Sequence, residues 1–261
     1  MKKYIVFVMF LFVSLLTGCS SKQGMLNGVF SVSDTLKVVF SFGNLQYEAS
    51  SNTYRFAENQ WEVISGTDLK KTFKHYDSGY CDVFEWGSGD NPFQKTDFFV
   101  DWGKNPISNG GNKQGLWRTL TSDEWLYLVE KRPFSENLIS FAIVNNIEGV
   151  VILPDNWQKT LGVDFKPLLK DSFIRKNGMI RLKNPMMKMN VYSLQTWEIM
   201  ENSGAIFLPF NDLSSKDNPS GKYWANDEEN FFSFEPQTIW PKRGCRREAL
   251  RMSVRLVKNI E

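Results

Sequence analysis

Beyond residue 20 the chain offers few side chains for nucleophilic or metal chemistry: two cysteines, Cys81 and Cys245, and one histidine, His75. Zinc sites need four converging nitrogen, sulfur or oxygen donors at recognisable spacings, and these three residues match none. His75 lies among Lys74, Tyr76 and Asp77 and reads as a surface residue. The carboxylate neighbours Asp123–Glu124 and Glu228–Glu229 read as a helix first turn and a solvated loop rather than an acid–base dyad. No nucleophile elbow, phosphate loop or paired-histidine metal motif is present. The expectation is therefore a protein that is not an enzyme and holds no metal and no cofactor.

A third cysteine has a specific setting. Lys2 and Lys3 precede an apolar run from Tyr4 to Leu16, and small residues lead to Cys19. That is the charged, apolar and small-residue order of a secretory signal. The apolar run is shorter than the roughly 20 residues of a membrane span, although a single anchor ending in an ordinary cysteine is the alternative. Leu16-Thr17-Gly18-Cys19 resembles the bacterial lipobox, in which the thiol is acylated and the cysteine becomes the first residue of the mature chain. The resemblance implies a signal peptide over residues 1–18 and a membrane partner reached through the lipid on Cys19. One acyl chain binds only reversibly, at about 0.8 kcal/mol per buried CH2, whereas a multiply acylated cysteine holds firmly. Ser20, where an Asp would imply inner-membrane retention, implies the outer membrane with the face left open. Residues 19–27 read as a polar tether to a domain over residues 28–258.

Without residues 1–18 the chain is close to neutral, and its remaining length suits one large core or two small ones. Charge is uneven: residues 242–261 hold seven Lys or Arg against two Glu. A basic tail can bind nucleic acid, but an envelope protein rarely meets it, and no nucleic-acid partner is expected. Arg251 and Arg255 alternate with Met252, Val254 and Leu256, as exposed strand residues would. An oxidising compartment permits a Cys81–Cys245 disulfide. Two buried small hydrophobes are the alternative.

Short strands dominate the pattern. They are expected at residues 29–32, 37–42, 45–48, 54–57, 61–64, 148–154, 205–209, 231–234 and 252–257, between turn residues such as Gly43-Asn44. Residues 65–115 are rich in Gly, Asn, Asp, Ser and Pro, too long a stretch for idle loop, and are expected to carry Trp86 and Trp102 into the core. Two helices are predicted. Thr121 and Glu124 form a capping box ahead of Trp125, Leu128 and Val129, with Arg132-Pro133 as the stop. The second runs from about Ser193 to Ser203, with Leu194, Trp197 and Met200 inward and Gly204 ending it. The class is α+β in a single domain.

Several phrases, in order, then carry a family resemblance. They are residues 39–47 (Val-Phe-Ser-Phe-Gly-Asn-Leu-Gln-Tyr), Asp101-Trp102-Gly103, Asn109-Gly110-Gly111, residues 115–121 with Glu124-Trp125, residues 149–157, residues 204–209, Tyr223-Trp224 and residues 253–257. Together they resemble the Fibrobacter succinogenes major paralogous domain, common in lipoproteins of gut Bacteroidetes. That domain is similar to the C-type lectin-like fold of formylglycine-generating enzymes and retroelement variable proteins. The resemblance covers about residues 28–257. It implies a C-type lectin-like single domain, with mixed or antiparallel sheets and two main helices, whose C-terminal strands form a ligand-binding face.

In the variable proteins the diversified residues lie between a Tyr-Trp and a final Val-Arg, which here spans Lys222 to Arg251. The implied ligand-binding residues are Tyr223, Asn226, Asp227, Trp240, Lys242, Arg243, Arg246 and Arg247. Aromatic and Arg side chains of this kind make good interface anchors. Phe232 and Phe234, on one strand face, are expected to be core, and for Trp224 core and interface both stay open; Tyr223, Trp240, Arg243, Arg246 and Arg247 are expected at the surface. Two departures matter. Trp224-Ala225-Asn226 stands where the family shows Trp-Ser-Ser, and Cys245 lacks the close partner cysteine that the formylglycine reaction uses. Glu235-Pro236-Gln237 and Trp224-Ala225-Asn226-Asp227 come near the calcium and sugar motifs of lectins, but imperfectly and in reversed order. The function implied is a membrane-anchored binding module for a protein or glycan, with a subunit of an envelope assembly as the alternative.

Overall fold

The computed structural model describes residues 24–64, 79–91, 96, 98–158, 162–168, 173–176, 178–183, 190–213, 219–227, 230–244 and 251–260. Cys19, Arg246, Arg247, Cys245 and His75 therefore lie outside the described residues. The fold is mixed α+β, with mostly antiparallel sheets, two α-helices and no barrel among the described residues.

Among the described residues, sixteen strands form four sheets. The first joins β1 (Phe30–Ser31), β2 (Lys37–Phe40), β16 (Leu256–Ile260) and β6 (Arg118–Thr119) in that order, so the C-terminal strand lies inside N-terminal neighbours. A three-stranded sheet places β3 (Leu45–Glu48) between β4 (Thr53–Phe56) and β5 (Tyr80–Cys81). A third runs β11 (Asn190–Tyr192), β7 (Ile139–Val144), β8 (Ile147–Ile152), β12 (Ile206–Pro209). The β11–β7 pair is its one parallel ladder. The fourth runs β13 (Gly221–Trp224), β14 (Asn230–Glu235), β15 (Thr238–Gly244), β10 (Met179–Leu182), β9 (Phe173–Lys176).

The third sheet is covered on both sides. Ile139, Phe141, Val150, Ile152, Ile206 and Leu208 enter a central core with Phe30, Phe40, Trp125, Phe232 and Phe234. Ala142, Val144, Val151 and Phe207 face the other way, against Trp197 and Met200. Two-sided burial explains why these strands read as nearly unbroken apolar runs. It also explains why β7, which lacks the alternation of a half-buried strand, is absent from the sequence expectation. A further core gathers Tyr54, Phe56, Phe84, Trp102, Trp117 and Trp224. Trp86 and Trp102 are buried there, as expected of the turn-rich stretch.

Helix α1 (Ser122–Leu126) starts at the predicted capping box: the Glu124 N–H donates to Thr121 Oγ1 at 3.0 Å and the Thr121 N–H donates to Glu124 Oε2 at 2.8 Å. Arg118 grips both Glu124 carboxylate oxygens at 2.7 Å. The helix continues as one π-helical turn, Tyr127–Lys131, and stops at Arg132. Trp125, Leu128 and Val129 are all buried. Helix α2 (Leu194–Asn202) has Ser193 as its cap and buries Trp197 and Met200. Gly204, at φ +92°, ends it and lies so close to Gly28 that a Cβ would sit 2.3 Å from the Gly28 backbone.

Four expectations are corrected. Leu194 is 50% exposed, because it is the first helical residue and precedes the face set by Trp197 and Met200. Residues 61–64 form no strand: the Glu62 N–H closes a turn onto the Asn59 carbonyl. The last strand is Leu256–Ile260 rather than 252–257, with Met252 and Ser253 in isolated bridges. Residues 24–26, expected as part of a polar tether, are packed against the domain instead. The Phe42 N–H donates to the Gly24 carbonyl at 2.7 Å, Met25 bridges Ser41, and Leu26 is buried.

Trp125 is fully buried and stacks on Phe232, with ring centroids 4.7 Å apart. Trp125→Ala is expected to lower unfolding free energy by about 3–5 kcal/mol in urea denaturation, the range for emptying a large core site.

Candidate functional site

Residues 230–244 form a hairpin around Pro236-Gln237. Pro presets the first turn position, and Gln237 takes φ +70° at the second. The near-lectin phrase Glu235-Pro236-Gln237 is thus the turn of this hairpin. Glu235 pairs with Thr238, Ser233 with Trp240 and Phe231 with Arg243. One residue, Phe232, therefore lies opposite two, Pro241 and Lys242. This bulge suits a proline, which has no N–H to give to a ladder. Its consequence is directional: Arg243 is brought to the face that Trp240 occupies, despite an odd spacing.

On that face the Arg243 guanidinium carbon lies 4.4 Å from the Trp240 ring centroid and 5.9 Å from that of Phe231. Its Nη1 donates to Glu235 Oε1 at 2.9 Å. The side chain runs back along the strand over Ser233, whose buried hydroxyl has no partner among the described residues. Arg243 keeps 37% of its side-chain exposure, and its remaining N–H groups have no partner among the described residues. Arg181, opposite Thr238, and the half-exposed Ile174, opposite Arg181, extend the same face outward. The opposite face, with Phe232, Phe234, Ile239 and Ile180, is core. The face thus gathers an ordered guanidinium with free donors, a carboxylate acceptor and an indole.

The eight expected ligand residues divide. Trp240 and Arg243 come together here. Lys242, thrown to the other side by the bulge, is exposed but paired with Asp123 in the first turn of α1, at 3.0 Å. Asp227 receives the Ser122 backbone N–H and hydroxyl and the Asn230 amide, so it caps the start of α1. Asn226 is half-buried and donates its backbone N–H to the Leu120 carbonyl. Tyr223 corrects the expectation: it is fully buried, because its strand turns that side chain toward Phe234 and the core. Trp224 is buried as well, donating its indole N–H to the Phe84 carbonyl. Of the four basic residues expected on this face, Lys242 and Arg243 each pair with a carboxylate, and Arg246 and Arg247 lie outside the described residues. Cys81 is buried, and its proposed partner Cys245 lies outside the described residues.

Compared with protein-family models, curated proteins and solved structures, the chain matches none.

The residue most at odds with its sequence reading is Arg255. It is 1% exposed rather than a surface strand residue. Its Nη2 donates to Gln60 Oε1 at 2.7 Å and to the Phe42 carbonyl at 3.0 Å, and its Nη1 donates to Asn44 Oδ1 at 3.4 Å. Gln60 also takes the Phe207 N–H and donates to Glu201 Oε1 and the Ala205 carbonyl. The Trp197 indole donates to the same Glu201 oxygen. Asn44 reaches the Tyr223 hydroxyl, which donates to the Pro209 carbonyl. Burial lowers the Arg255 pKa to about 10, against the opposing pull of Tyr223 and Glu201, so it stays charged at neutral pH. Burial also raises the Glu201 carboxyl above its ordinary value, although the bonds from Gln60 and Trp197 and the charge of Arg255 act against that rise.

Two predictions follow from this network. Arg255→Met is expected to cost about 3–5 kcal/mol in urea denaturation, the range for breaking one side of a buried charged network. Glu201 with a raised native pKa binds more protons folded than unfolded between its two pKa values, so it favours folding most below the unfolded value. Its contribution is lost as pH rises through the native value. Urea midpoints against pH are expected to fall over that interval, and Glu201→Gln, which keeps the acceptor oxygen, is expected to flatten the decline.

Proposed function

We propose that this chain is a lipid-anchored, non-enzymatic binding protein of the outer membrane, in which a C-type lectin-like domain offers the Trp240–Arg243–Glu235 face to a protein or glycan. The observation that carries the reading is Arg243: a guanidinium ordered between two aromatic rings and a carboxylate, with N–H donors left over for a ligand. A side chain ordered in advance loses little rotamer freedom on binding, which is why such residues act as anchors. The lipobox-like Leu16-Thr17-Gly18-Cys19 supports the membrane half of the proposal.

The test is a panel of defined glycans and purified envelope proteins probed with soluble residues 20–261. Trp240→Ala with Arg243→Ala is expected to abolish binding while costing no more than about 2 kcal/mol of stability, the scale of a surface cation–π contact plus an exposed ion pair. Binding that survives the double substitution, with the fold intact, removes this face from the function.

A further inference from the structure

Gly24 is packed against the body of the domain: its Cβ position would fall 2.7 Å from the Asn109 carbonyl oxygen, 2.8 Å from Gly110 and 2.9 Å from Phe56. With φ at +77° and its carbonyl bound by the Phe42 N–H, Gly24 is built into the turn that follows Ile107. Five residue steps separate Cys19 from Gly24, and a chain spans at most about 3.6 Å per residue, so about 18 Å in all. The headgroup layer takes up roughly 5–7 Å of that. The remaining ~12 Å is well short of the radius of gyration of about 17 Å expected for a domain of this size.

We propose that the end of the domain formed by Gly24 and the exposed stretch Ser108–Gly115 lies directly on the lipid headgroups, its partner being the bilayer that holds the acylated Cys19. The proposal rests on the lipoprotein reading above. The surface suits that partner. Trp102 to Ser122 contains Lys104, Lys113 and Arg118 and no Asp or Glu. Lys104 pairs with Asp90 and Arg118 with Glu124, while Lys113 is exposed and has no ion pair among the described residues. One cation and several neutral amides at this end can approach anionic headgroups without like-charge repulsion.

The experiment uses the full acylated chain, with Cys245→Ser and Gln114→Cys, carrying an environment-sensitive fluorophore at position 114. It is reconstituted into vesicles of phosphatidylethanolamine and phosphatidylglycerol. Intact mass of the membrane-extracted protein first reports whether Cys19 is acylated; an unmodified Cys19 ends both the lipoprotein reading and this proposal. With acylation confirmed, the expected result is a blue-shifted emission quenched by lipid-borne quenchers. Both effects are expected to vanish when about twenty Gly/Ser residues, with a root-mean-square reach of about 25 Å, are inserted between Gln23 and Gly24. A probe that stays water-like and unquenched on the acylated chain with its native tether overturns the orientation and leaves the anchor standing.

Discussion

The buried positive charge of Arg255 constrains the assembly of this fold. Arg255 follows the bridge at Ser253 and precedes β16, and its guanidinium binds the turn between β2 and β3 and the side chain of Gln60. Gln60 in turn holds β12 and the C-terminal end of α2. Desolvating a guanidinium costs several kcal/mol unless its donors are met, so the surrounding segments are constrained to bring acceptors to one point. Those acceptors come from two stretches far from Arg255 in sequence, residues 42–44 and Gln60. The network therefore couples the chain's first strands to its last, and its Nε still has no partner among the described residues.

Around that point the apolar packing is divided among three clusters rather than one. The third sheet separates the central core from the α2 side, and the fourth separates the central core from the tryptophan-rich cluster. In the fourth sheet the division runs along single strands: Phe232 and Phe234 face one core while Phe231 joins Trp224 in the other. That two-sided demand is met at the β14 end of the sheet. Toward β10 and β9 nothing apolar among the described residues covers the outer face, and there Trp240, Arg243 and Arg181 are accessible.

The bulge at Pro241-Lys242 gives this surface its character. Without the extra residue, Arg243 would point to the helix side and Lys242 would share the outer face with Trp240. With it, Lys242 is spent on Asp123 and Arg243 lies over Ser233 beside Glu235. The outcome is an aromatic surface on which Arg243 is paired with Glu235 and Arg181 is exposed.

Local chemistry in the sequence by itself determined the parts of this protein whose causes are near neighbours. The Thr121–Glu124 capping box, the Ser193 cap, the Gly204 stop and the strands at residues 45–48 and 231–234 depend on spacings of a few residues, and each is where those spacings place it. Tertiary structure alone decided which side of each element met a second layer. Arg255 alternates with apolar neighbours as an exposed residue does, yet it is buried because acceptors from distant segments converge on it, and Tyr223 is buried because its strand turns it toward Phe234. β7 shows no alternation because it is buried on both faces, and β10, although it alternates, is fixed as a strand only by pairing with a remote hairpin. The candidate site was half legible. Trp240 and Arg243 stand out as residue types, but Glu235, Ser233 and Arg181 join them only through ladder register and one bulge, which depend on pairing between strands rather than on either strand alone.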